Sequence, residues 1–386
     1  MRADLKELLS REAQRVHPSP APIDAVLTDV QTRVRHRRMG ATAVAAVLAV
    51  LAVAGPWAIG WIGEGSTVGR PADAVPSDPS WGPYRVGDTI YLGDQAELTN
   101  KHLADPMAEV PRGVVYSTAT GKIGLLTTAG EHRQIGSGAT MYPALASNPA
   151  TGWVTWLENG PGRDRGEIVV YDTTVGRFGM EVDRLPVSKD GPRNCFRPRI
   201  ANPGPFAIDG SAVYYCTGKG DFVWHPTEAD AEPKQILPVE GDPSTSDDYL
   251  LDVRAGVQVV ARYGDGHPTT AIMPVGQTTP TTTIEHELID GFLSRDGRFV
   301  AAPLDEPMQV YDTSTGEQTT PDYFAGQGNR VPLAMTFTDD GGVALGLIHP
   351  ERGTTNIVTC SLPEGACEME LQDLDGGVFF ANQRHQ

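Results

Sequence analysis

The sequence predicts an all-β domain, a seven-bladed β-propeller, carried behind a single apolar segment of membrane length. Three patterns support this: a Gly-led apolar strand that occurs seven times after residue 82, a strand–turn–strand phrase that alternates with it, and 24 uncharged residues at 40–63. At 386 residues the chain has room for one large or two ordinary domains, and its 40% hydrophobic content is that of a globular core rather than a disordered chain.

Residues 1–39 form a short tail. Leu5, Leu8, Leu9 and Val16 fall on one helical stripe, Ile23, Val26, Leu27, Val30 and Val34 fall on a second, and Pro18, Pro20 and Pro22 separate the two. Such short amphipathic stripes have no core of their own. They are expected to dock on a cytoplasmic partner, to lie on the inner leaflet, or only to support insertion.

Residues 40–63 would extend about 36 Å as a helix, enough to cross a bilayer core. Arg33, Arg35, Arg37 and Arg38 precede the run, and Trp57 and Trp61 lie near its far end, where indole rings favour the interface. The positive-inside rule keeps the N-terminus in the cytoplasm and places the C-terminal bulk outside the cell membrane. A cleavable signal peptide is the competing reading, with Ala52, Val53 and Ala54 before Gly55 as the cleavage site. The long charged region ahead of the run, and its continuation through Trp61, weigh against cleavage. A linker rich in Pro, Ser, Gly and Asp follows at 64–82, and the extracytoplasmic domain occupies 83–386.

The Gly-led strands begin at Gly113, Gly152, Gly210, Gly256, Gly297, Gly342 and Gly377. Between them run hairpins turning at Gly130, Gly176 and Gly316, with weaker versions near Gly93, Ala229, Gly276 and Gly365. Each unit of about 40–50 residues holds four short strands and needs neighbours to bury both of its faces, which is the mark of a propeller. Only the ends break step. A hairpin at 90–98 and the strand at 377–380 each lack a partner, so pairing them closes the ring at seven blades. Pairing of 90–98 with the Gly113 strand alone would leave six.

The phrase Val-Tyr-Asp-Thr-x-x-Gly at 170–176 and 310–316 resembles repeats of TolB-like and WD-type propellers over residues 83–386. The resemblance implies architecture and names no activity, and no Trp-Asp dipeptide is present.

Four cysteines, Cys195, Cys216, Cys360 and Cys367, lie in the extracytoplasmic part, where an even count fits two disulfides. Three connectivities are open. The blade frame selects the local one: Cys360 and Cys367 flank a hairpin turn, and a Cys195–Cys216 bridge would pin the longest insertion, 184–205, to its blade.

Charge divides the chain. Residues 1–39 carry 8 Lys+Arg against 5 Asp+Glu, and residues 64–386 carry 23 against 44. The acidic domain repels phosphate backbones, which excludes nucleic acid as a natural partner and favours cations and basic ligands.

No linear motif assigns a catalytic residue, a metal or a cofactor. Gly136-Ser137-Gly138 reads as an inter-blade turn rather than a nucleophile elbow, and the histidines lack metal spacing. Asp339, Asp340, Asp373 and Asp375 read as turn acids rather than calcium ligands. Trp153, Trp156 and Trp224 are expected to pack between blades, with a ligand-lined funnel as the other reading. The expectation is a non-enzymatic, membrane-anchored binding or sensor propeller whose tail relays to a cytoplasmic regulator such as an alternative sigma factor. The alternative is a propeller lyase or hydrolase with its site in the central funnel.

Overall fold

The computed structural model describes residues 79–381 apart from 94–95, 139–144, 161–164, 189–203, 218, 229–231, 239–247, 264–266, 289–290, 303–307 and 324–329. The tail, the apolar segment 40–63, most of the linker and Cys195 therefore lie outside the described residues. Among the described residues no helix is long and apolar enough to cross a membrane.

The strands form seven four-stranded antiparallel sheets. Blade 1 combines the two ends of the propeller domain, ordered from the inside outward as Val378–Phe380, Tyr84–Val86, Thr89–Leu92 and Ala96–Thr99. Blade 2 is Leu103–Val110, Gly113–Thr118, Lys122–Thr127 and His132–Ser137, and blade 3 is Leu145–Asn148, Trp153–Asn159, Arg165–Asp172 and Met180–Ser188. Blade 4 is Gly204–Asp209, Ala212–Thr217, Gly220–Trp224 and Lys234–Pro238. Blade 5 is Tyr249–Arg254, Val257–Arg262, Thr269–Pro274 and Thr282–Ile284. Blade 6 is Phe292–Leu293, Phe299–Ala302, Gln309–Asp312 and Gln318–Thr319, and blade 7 is Val331–Phe337, Val343–Ile348, Thr354–Cys360 and Cys367–Asp375. First strands neighbour one another at five of the seven junctions, and shared core clusters join blades 1 to 2 and 6 to 7, which orders the blades around an axis.

The apolar pattern explains this stacking. A sheet with one wet face alternates, but a blade is covered on both sides, so its middle strands read as continuous apolar runs. Gly113–Thr118 is buried at every position, whereas the outer strand His132–Ser137 is mostly exposed. The core is correspondingly divided into seven clusters, each at one junction between adjacent blades. No blade is stable by burial against itself; each needs both neighbours.

The ring closes as the unpaired ends require. Tyr84, Arg85 and Val86 pair with Phe380, Phe379 and Val378, while Ile90 pairs with Leu98 in the same sheet. Trp81, Tyr84, Val378 and Phe380 pack with Ala334, Ala344 and Ile357 of blade 7, sealing the junction. One repeat copy differs from its expected place. The strand after Gly377 is an inner strand, whereas the other six Gly-led strands are second strands. The true seventh member is Tyr84–Val86, led by Gly82 at φ +74°. Its pattern is hidden because it is short and contains Arg85, which is buried with its guanidinium 4.4 Å from the centre of the Phe379 ring.

The leading glycines answer a steric demand at the reversals. Gly113 has φ +148°, and a Cβ there would meet the Leu126 carbonyl oxygen at 1.9 Å. Ala255 and Gly256 form a two-residue reversal with both φ values positive, at 51° and 75°. That is the backbone geometry of a type I′ hairpin, and alanine adopts it at a cost. The cost is offset from the preceding blade: Asp209 of blade 4 accepts hydrogen bonds from the Ala255 and Gly256 amides at 2.9 and 2.8 Å.

Candidate functional site

Antiparallel strands place alternate connections at opposite ends of the ring. At one end the first strand turns into the second, often through two residues, as at 111–112, 210–211 and 255–256. At the other end each outer strand must pass to the next blade, and in five of the seven passages the intervening chain is longer, 138–144, 189–203, 239–248, 285–291 and 320–330, while 100–102 and 376–377 are short. Loops held by a rigid scaffold are where binding residues concentrate, so the long-connection end is the place to look.

At that end, between blades 5 and 6, four segments converge. Tyr249 begins the inner strand of blade 5, Tyr263 follows its second strand, Glu287 lies in the passage to blade 6, and Tyr311 lies on the third strand of blade 6. The three tyrosines belong to the cluster at this junction, which fixes their rings and leaves the hydroxyls to find polar partners. Tyr249 and Tyr263 stack at 6.1 Å between ring centres, with an interplanar angle of 26°. Both hydroxyls donate to Glu287 Oε1, that of Tyr249 at 2.6 Å. Burial, reinforced by the Glu287 carboxylate, raises the Tyr249 pKa well above the ordinary phenol value, so its proton stays on oxygen.

The backbone on either side of Glu287 is fixed by Thr270, whose hydroxyl donates to the His286 carbonyl at 2.9 Å and accepts from the Leu288 amide at 2.9 Å. His286 turns towards blade 6, where its Nε2 lies 3.0 Å from the Tyr311 hydroxyl. Tyr311 donates to Gln309. Beside this group Arg262 donates to the Thr278 carbonyl at 2.8 Å and lies 3.8 Å from Asp248.

The short-turn end also gathers charge, with a different outcome. Glu109 ends the inner strand of blade 2, and Arg295 and Asp339 occupy first-to-second turns of blades 6 and 7. Arg295 binds both carboxylates, one nitrogen to each. Blades 2 and 6 are not adjacent, so a bond between them crosses the axis. Burial pushes the Glu109 carboxyl above its ordinary value while Arg295 draws it back down. The arrangement is a brace across the short-turn mouth.

The residues singled out from sequence fall mostly into structural roles. Trp156 is fully buried between blades 2 and 3, its indole donating to Glu158 at 3.1 Å, and Trp224 is buried between blades 3 and 4 with Trp153 packed against the same cluster. Ser137, from the Gly136-Ser137-Gly138 run, gives its amide to Glu158 at 2.9 Å and so links blades 2 and 3. Asp340 accepts from Thr338 within its own turn, and Asp373 accepts from Arg330 at 2.6 Å. Among the described residues no three His, Cys, Asp or Glu side chains gather as a metal site.

Cys360 and Cys367 face each other across the blade 7 hairpin and are disulfide-bonded, with Cα atoms 4.0 Å apart. Cys216 lies on the second strand of blade 4, while the expected partner, Cys195, lies outside the described residues.

Sequence reading missed the Glu287 group. Tyr311 sits inside the repeat phrase and was legible only as architecture; the others carry no linear signal that joins them.

Fold and packing define a seven-bladed β-propeller. Among solved structures, TolB from Acinetobacter baumannii is similar at 13% identity and a TM-score of 0.40, the match covering 73% of this chain and 66% of TolB. Apo AztD from Citrobacter koseri is similar at 11% identity and a TM-score of 0.36, covering 75% and 77% of the two chains. A protein from Lactobacillus plantarum matches at 15% identity and a TM-score of 0.35, over 72% of this chain and 96% of its own. No protein-family model and no curated protein matches the chain.

Proposed function

We propose that this chain is a membrane-anchored, extracytoplasmic binding propeller that takes its ligand at the long-connection end and relays binding inward through residues 1–39. The anchor reading rests on residues 40–63 and the arginines before them. The observation that carries the binding reading is the contrast between the two mouths. One is bridged by the Arg295 brace, and the other presents a polar group assembled from four segments around Glu287.

A thermal-shift screen of the full chain against sugars, amino acids, amines and short peptides tests this. A compound that raises the melting temperature and is recovered unchanged supports binding; no response from the whole panel sinks it. Retention on membranes after a carbonate wash, with the tail intact, supports the anchor. Recovery of a soluble chain starting at Gly55 would replace it with a signal peptide.

A propeller enzyme is the second reading. It is favoured by one observation: Glu287, His286 and three tyrosines form an acid–base set within one blade junction. Conversion of any panel compound, followed by mass spectrometry and abolished in Glu287→Gln, would establish it.

A further inference from the structure

We infer that the short-turn rim of blades 2 and 3 is a membrane-contact surface that seats on anionic phospholipid. The inference rests on the anchor reading and specifies which face of the propeller meets the lipid. The third-to-fourth turn of a blade lies at the same end as its first-to-second turn; in blade 3 the Thr173 amide donates to the Gly152 carbonyl between the two, at 2.9 Å. That third-to-fourth turn, 173–179, stands clear at its tip, where a Cβ on Gly176 would meet nothing within 4 Å. It carries apolar groups into solvent. Val175 is 41% exposed, and Met180, just after the turn, is 56% exposed, the most of any large hydrophobic among the described residues. Apolar side chains gathered on one exposed turn with a polar surround mark a contact surface.

The surround is cationic. Half-buried Phe178 has the Arg133 guanidinium 5.4 Å and the Arg177 guanidinium 5.3 Å from its ring centre, and Arg112 of blade 2 donates to the Gly176 carbonyl at 2.6 Å. The acids nearby are already taken: Glu131 by Arg177, Asp172 by Thr174 and Glu181 by Arg184. Arg133 makes no side-chain hydrogen bond or ion pair among the described residues. Three arginines thus gather on a part of the chain, 64–386, that carries 23 basic side chains against 44 acidic. The same end of blades 6 and 7 holds Asp296, Glu317, Asp340 and Glu364 in its turns, which an anionic surface repels, so contact falls on blades 2 and 3. Chain entry favours lipid over an acidic protein. Tyr84–Val86 is a second strand and begins at the short-turn end, where the Ser80 carbonyl accepts the Asp339 amide at 2.8 Å. Residues 64–78 separate this point from the apolar run, a reach of about 50 Å at full extension. An exposed tip with apolar side chains among arginines suits the lipid interface, where cations meet phosphate and apolar groups enter the acyl boundary.

The test places the full chain in nanodiscs of phosphatidylcholine, with and without phosphatidylglycerol. A fluorophore is attached to Ala129→Cys, on the neighbouring short-end turn of blade 2, or to Lys219→Cys at the long-connection end. Quenching by brominated lipid is expected at Ala129→Cys alone, stronger with phosphatidylglycerol and weakened by salt. Arg133→Gln is expected to lower the ratio of docked to undocked protein about fivefold. Met180→Ser, a change at an exposed position, is expected to lower it about threefold. Quenching indifferent to phosphatidylglycerol and to both substitutions would show only that a tether holds the domain near the bilayer, and overturns the inference. Quenching at Lys219→Cys instead turns the other end to the lipid and overturns it as well. Binding of polyglutamate without quenching assigns the patch to an acidic protein, with the same result. No quenching at either label, in a chain that stays with membranes after a carbonate wash, defeats the contact and leaves the anchor standing. Recovery of a chain starting at Gly55 defeats the anchor. Flotation of that chain with phosphatidylglycerol vesicles, weakened in Arg133→Gln, then upholds the contact, and no flotation defeats it too.

Discussion

At the short-turn end of the ring, carboxylates hold backbone and arginine: Asp209 caps the Ala255-Gly256 reversal of the next blade, and Arg295 joins Glu109 to Asp339 across the axis. At the long-connection end some carboxylates pair with arginine too, as Asp373 does with Arg330, but two others face different partners. Glu287 receives phenol hydroxyls, and Asp221, fully buried between blades 4 and 5, accepts the Leu250 amide at 2.7 Å. A propeller distributes its apolar burial evenly among its junctions, so it can concentrate polar fixation at one end. The other end is then available for recognition, where rigid anchoring would compete with a ligand.

Substitutions can break or sharpen this contrast. The largest loss is expected from Arg295→Met, which takes from buried Glu109 the cation hydrogen-bonded to it, with Arg254 still acting on it, and costs about 3 kcal/mol of unfolding free energy in denaturant titration. A loss below about 0.5 kcal/mol would show that the brace is decorative. Cys360→Ser, at the same end, removes a short-loop crosslink and is expected to cost about 2–3 kcal/mol, with reduction of wild type giving a similar loss. Asp209→Ala withdraws two hydrogen bonds from a left-handed reversal and is expected to cost about 2 kcal/mol.

At the other end the signature is pH dependence. Burial pushes the Asp221 carboxyl up to about 7, against 3.8 for an ordinary aspartate, while the Leu250 amide opposes the shift. With the folded pKa raised, the folded state holds a proton that the unfolded chain has released. This group's contribution to stability is therefore fully present below about pH 3.8, is lost as pH rises to about 7, and is level above that. Asp221→Asn should flatten that decline and raise the melting temperature at pH 8. An unchanged pH profile would place the titration elsewhere. The smallest effect on folding is expected from Glu287→Gln, within about 0.5 kcal/mol of wild type, because an amide oxygen still accepts the two phenols.

The blades were legible because their physics is local. A strand buried on both faces loses its alternation, as Gly113–Thr118 does, and each tight reversal asks for a residue that tolerates positive φ. The count of seven followed once the broken ends were paired, although Gly377 stood in the series where Gly82 belongs. The hairpin disulfide was legible for the same reason, since Cys360 and Cys367 are opposite one another in a single turn. The Glu287 group was not. Tyr249, Tyr263, Glu287 and Tyr311 are brought together by the stacking of two blades, and each alone reads as a tyrosine at a strand end or an acid in a loop. Arg295 and Glu109 were hidden more deeply, because their contact depends on the ring being closed.

The clasp of Val378–Phe380 onto Tyr84–Val86 sets a schedule as well as a shape. A ribosome delivers Tyr84 first and Phe380 last, so the first blade waits through almost the whole of synthesis with one edge open and its junction to blade 7 unfilled. Every intermediate length is an arc with two sticky ends, and arcs of different chains can join as readily as the ends of one. The strand Val378–Phe380 therefore separates a closed ring from an open arc whose edges other chains can pair with, and whatever holds the nascent chain apart from its neighbours must act until that strand arrives.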